Sequence, residues 1–389
     1  MWQKNVHYLD YNASAGVKQT VRNRLVSFLS DEEVFLANPS SRHRPGQKIQ
    51  HLMYEASLAV ARTLGEAVSP DDLIWVSSGT EANQTVIRSL ERTVEGMIIG
   101  AGEHSASHDL LEGLGLPFKA ELPLLPEGAY DLLRLAELLK EARERGLRSI
   151  GLSLFWANNE TGVLTPLAEL SRIILASGME VQLHLDGAQV WGKIPLDVRA
   201  SSADFVTFSA HKIGAPAGSG IIWKRPGRLL HPLLKGSQNG SLRGGTENVL
   251  GMVATRFACE QMDPVGFQDK TAPLQRQLEE GLIRIDPSIQ IWGWQERRIT
   301  NTTRFSFKRF RTYENWIELL DLRGFAVSHG SACKARVIEP SRVLLAMGAS
   351  REAALNSIRV SFGPENTPSE VEGFLNALTG ILDQKGFAS

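Results

Sequence analysis

Residues 181 to 212 read VQLHLDGAQVWGKIPLDVRASSADFVTFSAHK, and this stretch decides the fold. Its two short apolar runs, 181–185 and 205–208, predict strands that are buried on both faces, as in a sheet between two layers of helices. Polar side chains follow each run: Asp186 and Gln189 after the first, and Ser209, His211 and Lys212 after the second. Because ligands bind at the carboxyl ends of the strands in such sheets, these residues are candidates for a functional site.

The same alternation continues on both sides of this stretch. Predicted strands 73–76, 97–99, 150–155 and 220–223 alternate with predicted helices 45–64, 132–142 and 166–176. This order of elements predicts an α/β fold with a mostly parallel sheet and helices on both of its faces.

The pattern changes after residue 262. It continues with a helix at 273–285, strands at 289–292 and 302–307, a helix near 313–322, strands at 326–328 and 357–362, and a helix at 369–382. We therefore expect a large domain over residues 16–262 and a smaller α+β domain formed by residues 1–15 and 263–389.

Composition excludes several classes of protein. The 389 residues are 42% hydrophobic and 22% charged, which excludes wholesale disorder. A net charge of −1 gives no basic surface for nucleic acid, and no apolar run approaches the roughly 18 residues that cross a bilayer. No targeting segment is recognisable, and two cysteines cannot form a disulfide framework. We expect a cytoplasmic protein without membrane or direct nucleic-acid binding.

Two further strand ends carry unusual residues. Residues 77–83 read SSGTEAN and open a helix, whose N-terminus with small hydroxyls suits a phosphate group but also fits an ordinary helix cap. Residues 156–162, WANNETG, follow strand 150–155. Asp186, taken alone, also fits a helix cap. Together, a lysine, a carboxylate and a phosphate site are the groups that pyridoxal 5'-phosphate requires.

With these residues the sequence resembles the cysteine desulfurases, a branch of the class V aminotransferases, which are pyridoxal-phosphate enzymes. The resemblance implies the PLP-dependent transferase fold (fold type I), with a mostly parallel seven-stranded sheet flanked by helices and a smaller α+β domain. The motifs that carry it are YLDYNA (8–13), NPSSRH (38–43), EH (103–104), NNETG (158–162), SAHK (209–212), RGGTEN (243–248), GSAC (330–333), EPS (339–341) and SIR (357–359).

The resemblance implies a role for each matching residue. Lys212 would hold the cofactor covalently and move protons at the substrate Cα, Asp186 would pair with the ring nitrogen, and Gln189 would bond the phenolic oxygen. His104 would stack on the ring and is a candidate to carry a proton. The remaining ligands are Gly79, Thr80, Ser209 and His211 for the phosphate, Thr246 from the other subunit of a homodimer, Arg359 for the substrate carboxylate, and Asn159 for cofactor or substrate.

Cys333 would distinguish this branch of the family. Lys334 and Arg336 should favour its thiolate, which would attack the sulfur of bound cysteine and carry it away as a persulfide. An isolated cysteine also fits a structural role, and Cys259, on an apolar helix, is predicted to be core. His329 and Cys333 are too few to make a metal site, so we expect no metal.

The expected function is therefore that of a cysteine desulfurase: L-cysteine becomes L-alanine, and the sulfur passes to an acceptor protein, for example an iron–sulfur scaffold, or towards thio-cofactor or tRNA biosynthesis. Two alternatives stay open. One is a selenocysteine lyase or another class V lyase or aminotransferase, and the other is a non-catalytic homologue that acts as a binding subunit.

The sequence departs from the commonest family pattern at several positions. These are residues 14–16, residues 235–239, Ala217 and His329, together with a short tail after residue 382 where relatives often carry a docking segment for a scaffold protein. None of them removes an assigned catalytic group, but they leave open whether the substrate preference and the sulfur acceptor match those of the best-known members.

Overall fold

A computed structural model describes residues 6–31, 37–307, 315–329 and 339–384 of the chain. Within these ranges the largest sheet has seven strands. The strands in chain order are β1 His7–Tyr8, β2 Leu73–Val76, β3 Gly96–Gly100, β4 Phe118–Leu122, β5 Ser149–Phe155, β6 Glu180–Asp186, β7 Phe205–Ser209, β8 Gly220–Lys224, β9 Gln290–Trp292, β10 Thr302–Ser306, β11 Phe325–Ala326 and β12 Ser357–Ser361.

The seven-stranded sheet has the order β2-β8-β7-β6-β5-β3-β4. Strand β8 runs antiparallel to its neighbours β2 and β7, and the other neighbouring pairs are parallel. This arrangement confirms the predicted α/β fold with a mostly parallel seven-stranded sheet. The carboxyl ends of β5, β6 and β7 consequently lie side by side at one end of the sheet.

Helices cover both faces of this sheet. One face packs Ile99 and Ile222 against Val86 of α3, and the opposite face packs Ile98 with Val60 of α2. The helices in chain order are α1 Gln19–Ser30, α2 Arg44–Leu64, α3 Gly79–Leu90, α4 Ser105–His108, α5 Leu132–Glu144, α6 Leu167–Ser177, α7 Val249–Cys259, α8 Pro264–Ile285, α9 Trp316–Asp321, α10 Arg342–Ala346, α11 Arg351–Leu355 and α12 Pro368–Gln384.

Strand β4 is not predicted from the sequence. It lies at the edge of the sheet beside β3, with Phe118 and Leu122 buried but Lys119 and Glu121 exposed. This edge strand alternates between buried apolar and exposed polar residues, whereas the strands predicted from the sequence are short, mostly apolar runs.

The C-terminal part has its own sheets and core. Strand β10 lies between β12 and β9 in an antiparallel sheet, and β1 pairs in parallel with β11. Leu278, Phe305 and Phe374 contribute to a core that is separate from that of the large sheet. Val343 and Leu344 of α10, in contrast, pack with the core of the large sheet. The domain limits at residues 15/16 and 262/263 stay a prediction.

The helix predicted from residue 273 begins earlier, at Pro264. The carboxylate of Asp263 accepts a hydrogen bond from the Gly266 amide at 2.9 Å and so caps the helix. Pro264 suits the first helical turn, because amides there have no partner within the helix and proline lacks an amide hydrogen. Pro273 then lies inside the helix, which continues past it. A proline within a helical pattern usually marks the start or the end of a helix, and for this reason the predicted helix starts too late.

Across the described ranges, every helix is too short or too polar to cross a lipid bilayer. In the same ranges, no three side chains of His, Cys, Asp or Glu come together in a way that would hold a metal ion.

Candidate active site

A cavity of about 490 Å³ opens where β5, β6 and β7 end and α3 begins. The fold brings together residues from distant parts of the chain around it, as Gly79 and Arg359 show. The predicted site residues that line this cavity are Gly79, Thr80, His104, Asn159, Asp186, Gln189, Ser209, His211, Lys212 and Arg359.

Lys212 lies in a single 3-10 turn that directly follows β7. Its Nζ donates hydrogen bonds to the backbone carbonyls of Asn12, at 2.5 Å, and Ala13, at 2.9 Å. Burial, and after it the charge of Arg359, lower the pKa of Lys212 to about 8. More of this amine is therefore neutral and nucleophilic at neutral pH than in an exposed lysine, which suits attack on an aldehyde carbon.

Asp186 is the last residue of β6. One oxygen, Oδ1, accepts a hydrogen bond from the Ala188 amide at 2.9 Å, which is the capping contact that the sequence leaves open. The other oxygen, Oδ2, accepts from Nδ2 of Asn83 at 2.7 Å. The side chain therefore caps a turn and lines the cavity at the same time.

Gln189 is oriented by two residues whose roles the sequence does not predict. Its Nε2 donates to the backbone carbonyl of Asn12 at 3.1 Å, and its Oε1 accepts from Nζ of Lys193 at 2.7 Å. The same ammonium donates to Oδ1 of Asn12 at 2.7 Å. Burial, and after it Lys212, lower the pKa of Lys193 well below its usual range. The hydrogen bond from Nζ of Lys193 makes Oε1 the accepting end of the Gln189 amide and leaves Nε2 as its donor.

His104 lines the cavity, and Glu103 directly precedes it in the chain. Nδ1 of His104 accepts a hydrogen bond from the Ala106 amide at 3.1 Å, so a neutral ring carries its proton on Nε2. Loss of solvation lowers the pKa of His104, which favours that neutral ring. Glu103 is buried and accepts from the Tyr130 hydroxyl at 2.8 Å. Burial, and after it Asp186, raise the pKa of Glu103 to about 8.

The N-terminus of α3 meets the end of β7 closely. Oγ of Ser78 accepts from the Glu81 amide at 3.1 Å and so caps the helix. A Cβ atom added at Gly79 would lie 3.2 Å from Cβ of Ser209, so glycine permits this approach. Burial, and after it Lys212, lower the pKa of His211 to about 4, and its ring is a neutral donor and acceptor. A helix N-terminus with these side chains is suited to bind a phosphate group.

Arg359 extends from β12 towards the same cavity. One terminal nitrogen, Nη2, donates to Oδ1 of Asp10 at 2.7 Å, and the other, Nη1, donates to the backbone carbonyl of Asn159 at 3.0 Å. The guanidinium is buried, and a planar fork of this kind recognises a carboxylate through two parallel hydrogen bonds.

Among the described residues, one predicted site residue is not part of this cavity wall. Thr246 lies on an exposed loop before α7 and is absent from the residues that line the cavity. Cys333 lies outside the described residues. Ser328, five positions before Cys333, does line the cavity, and its backbone amide and carbonyl exchange hydrogen bonds with Arg359 at 3.2 and 2.7 Å.

All residues that line this cavity lie within one family match. Residues 7–374 match the family model described as "Aminotransferase class-V". The chain belongs to the class-V aminotransferase family. This class-V aminotransferase is 32% identical to a cysteine desulfurase from Gluconacetobacter diazotrophicus over 386 residues, which cover 97% of this chain and 94% of that protein. It is 30% identical to cysteine desulfurase NifS of Azotobacter vinelandii, over 97% of this chain and 92% of that protein.

Solved structures agree with these sequence relatives. A NifS-like protein from Rickettsia africae matches with a TM-score of 0.86 at 29% identity, over 97% of this chain and 99% of that one. The relatives confirm that this class-V aminotransferase is an enzyme that resembles the cysteine desulfurases, and the structure confirms the fold that the resemblance implies.

Several residues of the site are not assigned from the sequence. Asn12, Asn83 and Lys193 contact the predicted residues directly, yet Asn12 and Asn83 stand inside motifs without a predicted role. A usable signal lies in the strands, where Ser153 and Thr207 are polar residues within otherwise apolar runs. Buried polar side chains need hydrogen-bond partners, so such positions indicate a polar network.

Proposed function

We propose that this class-V aminotransferase is a pyridoxal-phosphate-dependent cysteine desulfurase, which converts L-cysteine to L-alanine and leaves the sulfur on Cys333 as a persulfide. One observation carries the proposal: Lys212, Asp186, Gln189 and Arg359 line the same cavity of about 490 Å³. The names of the relatives from Gluconacetobacter diazotrophicus and Azotobacter vinelandii support the choice of reaction.

The donors and acceptors around the cavity fit pyridoxal 5'-phosphate. When bound, this cofactor withdraws electrons from the Cα of an attached amino acid. Asp186 would hold the ring nitrogen in its charged form, because a carboxylate favours a neighbouring positive charge. Gln189, whose Oε1 is already held by Lys193, would donate from Nε2 to the phenolic oxygen. His104 would stack on the ring, and Asn159 would contact the cofactor or the substrate.

The phosphate group would be held by α3 and by the residues after β7. Gly79 and Thr80 begin α3, where backbone amides and the helix dipole favour an anion. Ser209 and His211 face the same cavity and supply neutral hydrogen-bonding groups. This donor set carries little full positive charge, and the proposal therefore relies on several hydrogen bonds to the phosphate.

Lys212 would act twice. Its amine would hold the cofactor, and the free amine would remove a proton from the substrate Cα. The lowered pKa of Lys212, about 8, supports both steps because each needs the neutral amine. His104, with its proton on Nε2, would transfer a second proton to or from the substrate.

Arg359 would bind the carboxylate of the substrate. Its guanidinium now donates to Asp10 and to the carbonyl of Asn159, and these two partners hold its plane. A lysine could not replace it, because the two-pronged bond to a carboxylate needs the fork of a guanidinium.

Cys333 would receive the sulfur. Its thiolate would attack Sγ of the substrate, so that an S–S bond forms while the Cβ–Sγ bond breaks. The electron pair of the broken bond stays with Cβ, which takes up a proton on the way to the methyl group of alanine. The separation of five residues keeps the Cα atom of Cys333 within about 18 Å of the Cα atom of Ser328, because each residue spans at most ~3.6 Å.

The proposal includes a second copy of the chain and an acceptor. Thr246 would complete the phosphate site of the partner subunit of a homodimer. Leu229 and Leu233, on the chain segment before it, are 70% and 40% exposed, as expected of a surface that another subunit covers. The persulfide would pass to an acceptor protein, for example an iron–sulfur scaffold, in the cytoplasm, where reducing conditions keep Cys333 a thiol.

Intact-mass measurement after addition of L-cysteine tests the proposal. The wild type should gain one sulfur atom and release one alanine for each sulfur bound. Cys333→Ala should gain none, whereas the matched variant Cys259→Ala should behave as the wild type. Cys259 is buried, and burial raises the pKa of its thiol far above the usual range, so it is no sulfur carrier.

Two results would contradict the proposal. Unchanged release of sulfide and alanine by Cys333→Ala would exclude the persulfide step and favour a selenocysteine lyase or another class-V lyase on the same scaffold. A wild-type protein that binds no coloured cofactor and is unaffected by a carbonyl reagent would favour a non-catalytic binding subunit.

A further inference from the structure

A row of polar side chains crosses the face of the large sheet that α3 covers. Ser153 of β5, His184 of β6 and Thr207 of β7 occupy this row, with Asn83 of α3 above them, and they are 0, 0, 1 and 3% exposed. Their surroundings are apolar, as the neighbouring Ile222 shows. Burial of polar groups in such a place is costly unless they bond to each other, so the row needs a complete set of hydrogen bonds.

The contacts form one chain that ends at Asp186. Oγ of Ser153 lies 2.9 Å from Nδ1 of His184, and Nε2 of His184 lies 3.0 Å from Oγ1 of Thr207. The Thr207 hydroxyl contacts Oδ1 of Asn83, whose Nδ2 is 2.7 Å from Oδ2 of Asp186. The sheet register supports this order, because Ser153 pairs with His184 and Thr207 pairs with Asp186.

The donors and acceptors in this series of hydrogen bonds can be arranged in one direction only. An ionised carboxylate only accepts hydrogen bonds, so Asn83 must turn its NH2 group to Asp186 and its Oδ1 to Thr207. The Thr207 hydroxyl then donates to Oδ1, and its oxygen accepts from Nε2–H of His184. Nδ1 of His184 is left to accept from the Ser153 hydroxyl. Burial lowers the pKa of His184 to about 4, and the neutral ring supplies the one donor and the one acceptor that this order needs.

We propose that Thr207, His184 and Ser153 are positioning residues that lock the Asn83 amide as a donor to Asp186 and so hold Asp186 as a carboxylate towards the ring nitrogen of the cofactor. The inference rests on the proposed function, because it assigns these residues to the cofactor site. None of the three lines the cavity. Their effect passes through Asn83, since a hydrogen bond to the charged form of a carboxylate favours that form.

Thr207→Val is the decisive variant. Valine has nearly the shape of threonine, but it can neither donate to Asn83 nor accept from His184. Thr207→Ser is the matched control, because it keeps the hydroxyl and loses the methyl group. Glu103, His104 and Lys212, which also act on Asp186 electrostatically, are unchanged in both proteins.

The holoenzymes are compared by the visible absorption of the bound cofactor as a function of pH, by the dissociation constant of the cofactor, and by thermal unfolding. We expect Thr207→Val to weaken cofactor binding about tenfold, as for loss of the one hydrogen bond from the Asn83 amide to the Asp186 carboxylate. We also expect it to move the pH at which the absorption changes. Thr207→Ser should have the dissociation constant and the pH of the absorption change of the wild type.

A merely structural role would lower the unfolding temperature of Thr207→Val but leave the absorption and the dissociation constant equal to those of Thr207→Ser, and that result would overturn the proposal. The nitrogen chemical shifts of His184 in the protein as purified test the chain separately. We expect a neutral ring with its proton on Nε2, and a proton on Nδ1 would overturn the direction of the hydrogen-bond chain. Failure of Cys333 to gain sulfur would contradict the proposed function instead and leave the His184 result standing.

Discussion

Among single residues, Lys212 would control when the proposed cofactor can attach. Only the neutral amine attacks an aldehyde, and burial together with Arg359 lowers the pKa of Lys212 to about 8. We expect the rate constant for attachment of pyridoxal 5'-phosphate to the cofactor-free protein to rise about tenfold per pH unit below pH 8 and to level off above it. The absorbance change after rapid mixing at a series of pH values measures this rate.

Arg359→Gln provides the comparison for this pH profile. It removes a positive charge that lowers the pKa of Lys212, so the midpoint should move upward. A wild-type rate that continues to rise to the ordinary lysine pKa of about 10.4 would show that burial does not activate this amine.

At the scale of elements, the N-terminus of α3 has a stabilising role and a proposed binding role. Ser78→Ala removes the cap on the Glu81 amide and should lower the free energy of unfolding by about 1 kcal/mol. It should also weaken cofactor binding several-fold, because the capped first turn is the proposed phosphate site. Chemical denaturation and cofactor titration measure the two effects.

Ser350→Ala is the matched control for this variant. Ser350 caps α11 at the same distance, 3.1 Å from the Ala353 amide, and it does not line the cavity. It should lose comparable stability and keep its cofactor affinity. Equal affinities in Ser78→Ala and Ser350→Ala would exclude α3 as the phosphate site.

Elements buried on both faces are predictable from the sequence, and others are not. Strand β2 lies at the predicted residues, because its four apolar residues face helices on both sides. Strand β4 is not predicted, because it is half exposed at the edge of the sheet. The helix predicted at α8 is too short, because Pro273 resembles a helix boundary. In both cases the neighbouring elements, which the local pattern does not contain, decide the outcome.

At the scale of the molecule, the sequence predicts the candidate site well where a residue belongs to a motif and poorly where it acts through another residue. Lys212 and Arg359, which lie in different motifs, line one cavity as expected. Lys193 and His184 have no predicted role, because their partners Asn12 and Thr207 come from other parts of the chain. Motifs in the sequence point to residues that line the cavity, whereas the folded structure is needed to find those that orient them.

Glu103 makes the stability of the whole molecule depend on pH. Its folded-state pKa, raised by burial and by Asp186 to about 8, exceeds the unfolded value of about 4.3, so its stabilising contribution is complete below the unfolded pKa and is lost as the pH rises through 8. The glutamine in Glu103→Gln has the shape of an uncharged glutamic acid but cannot ionise, so this variant does not lose the stabilising contribution as the pH rises. We expect wild type to lose stability relative to the variant by at most about 1.4 kcal/mol per pH unit across this window, measured by denaturant unfolding. Glu112 is exposed, so the free energy of unfolding of Glu112→Gln should depend on pH as that of the wild type does. If Glu103→Gln also shows the wild-type pH dependence, Glu103 is ionised in the folded protein.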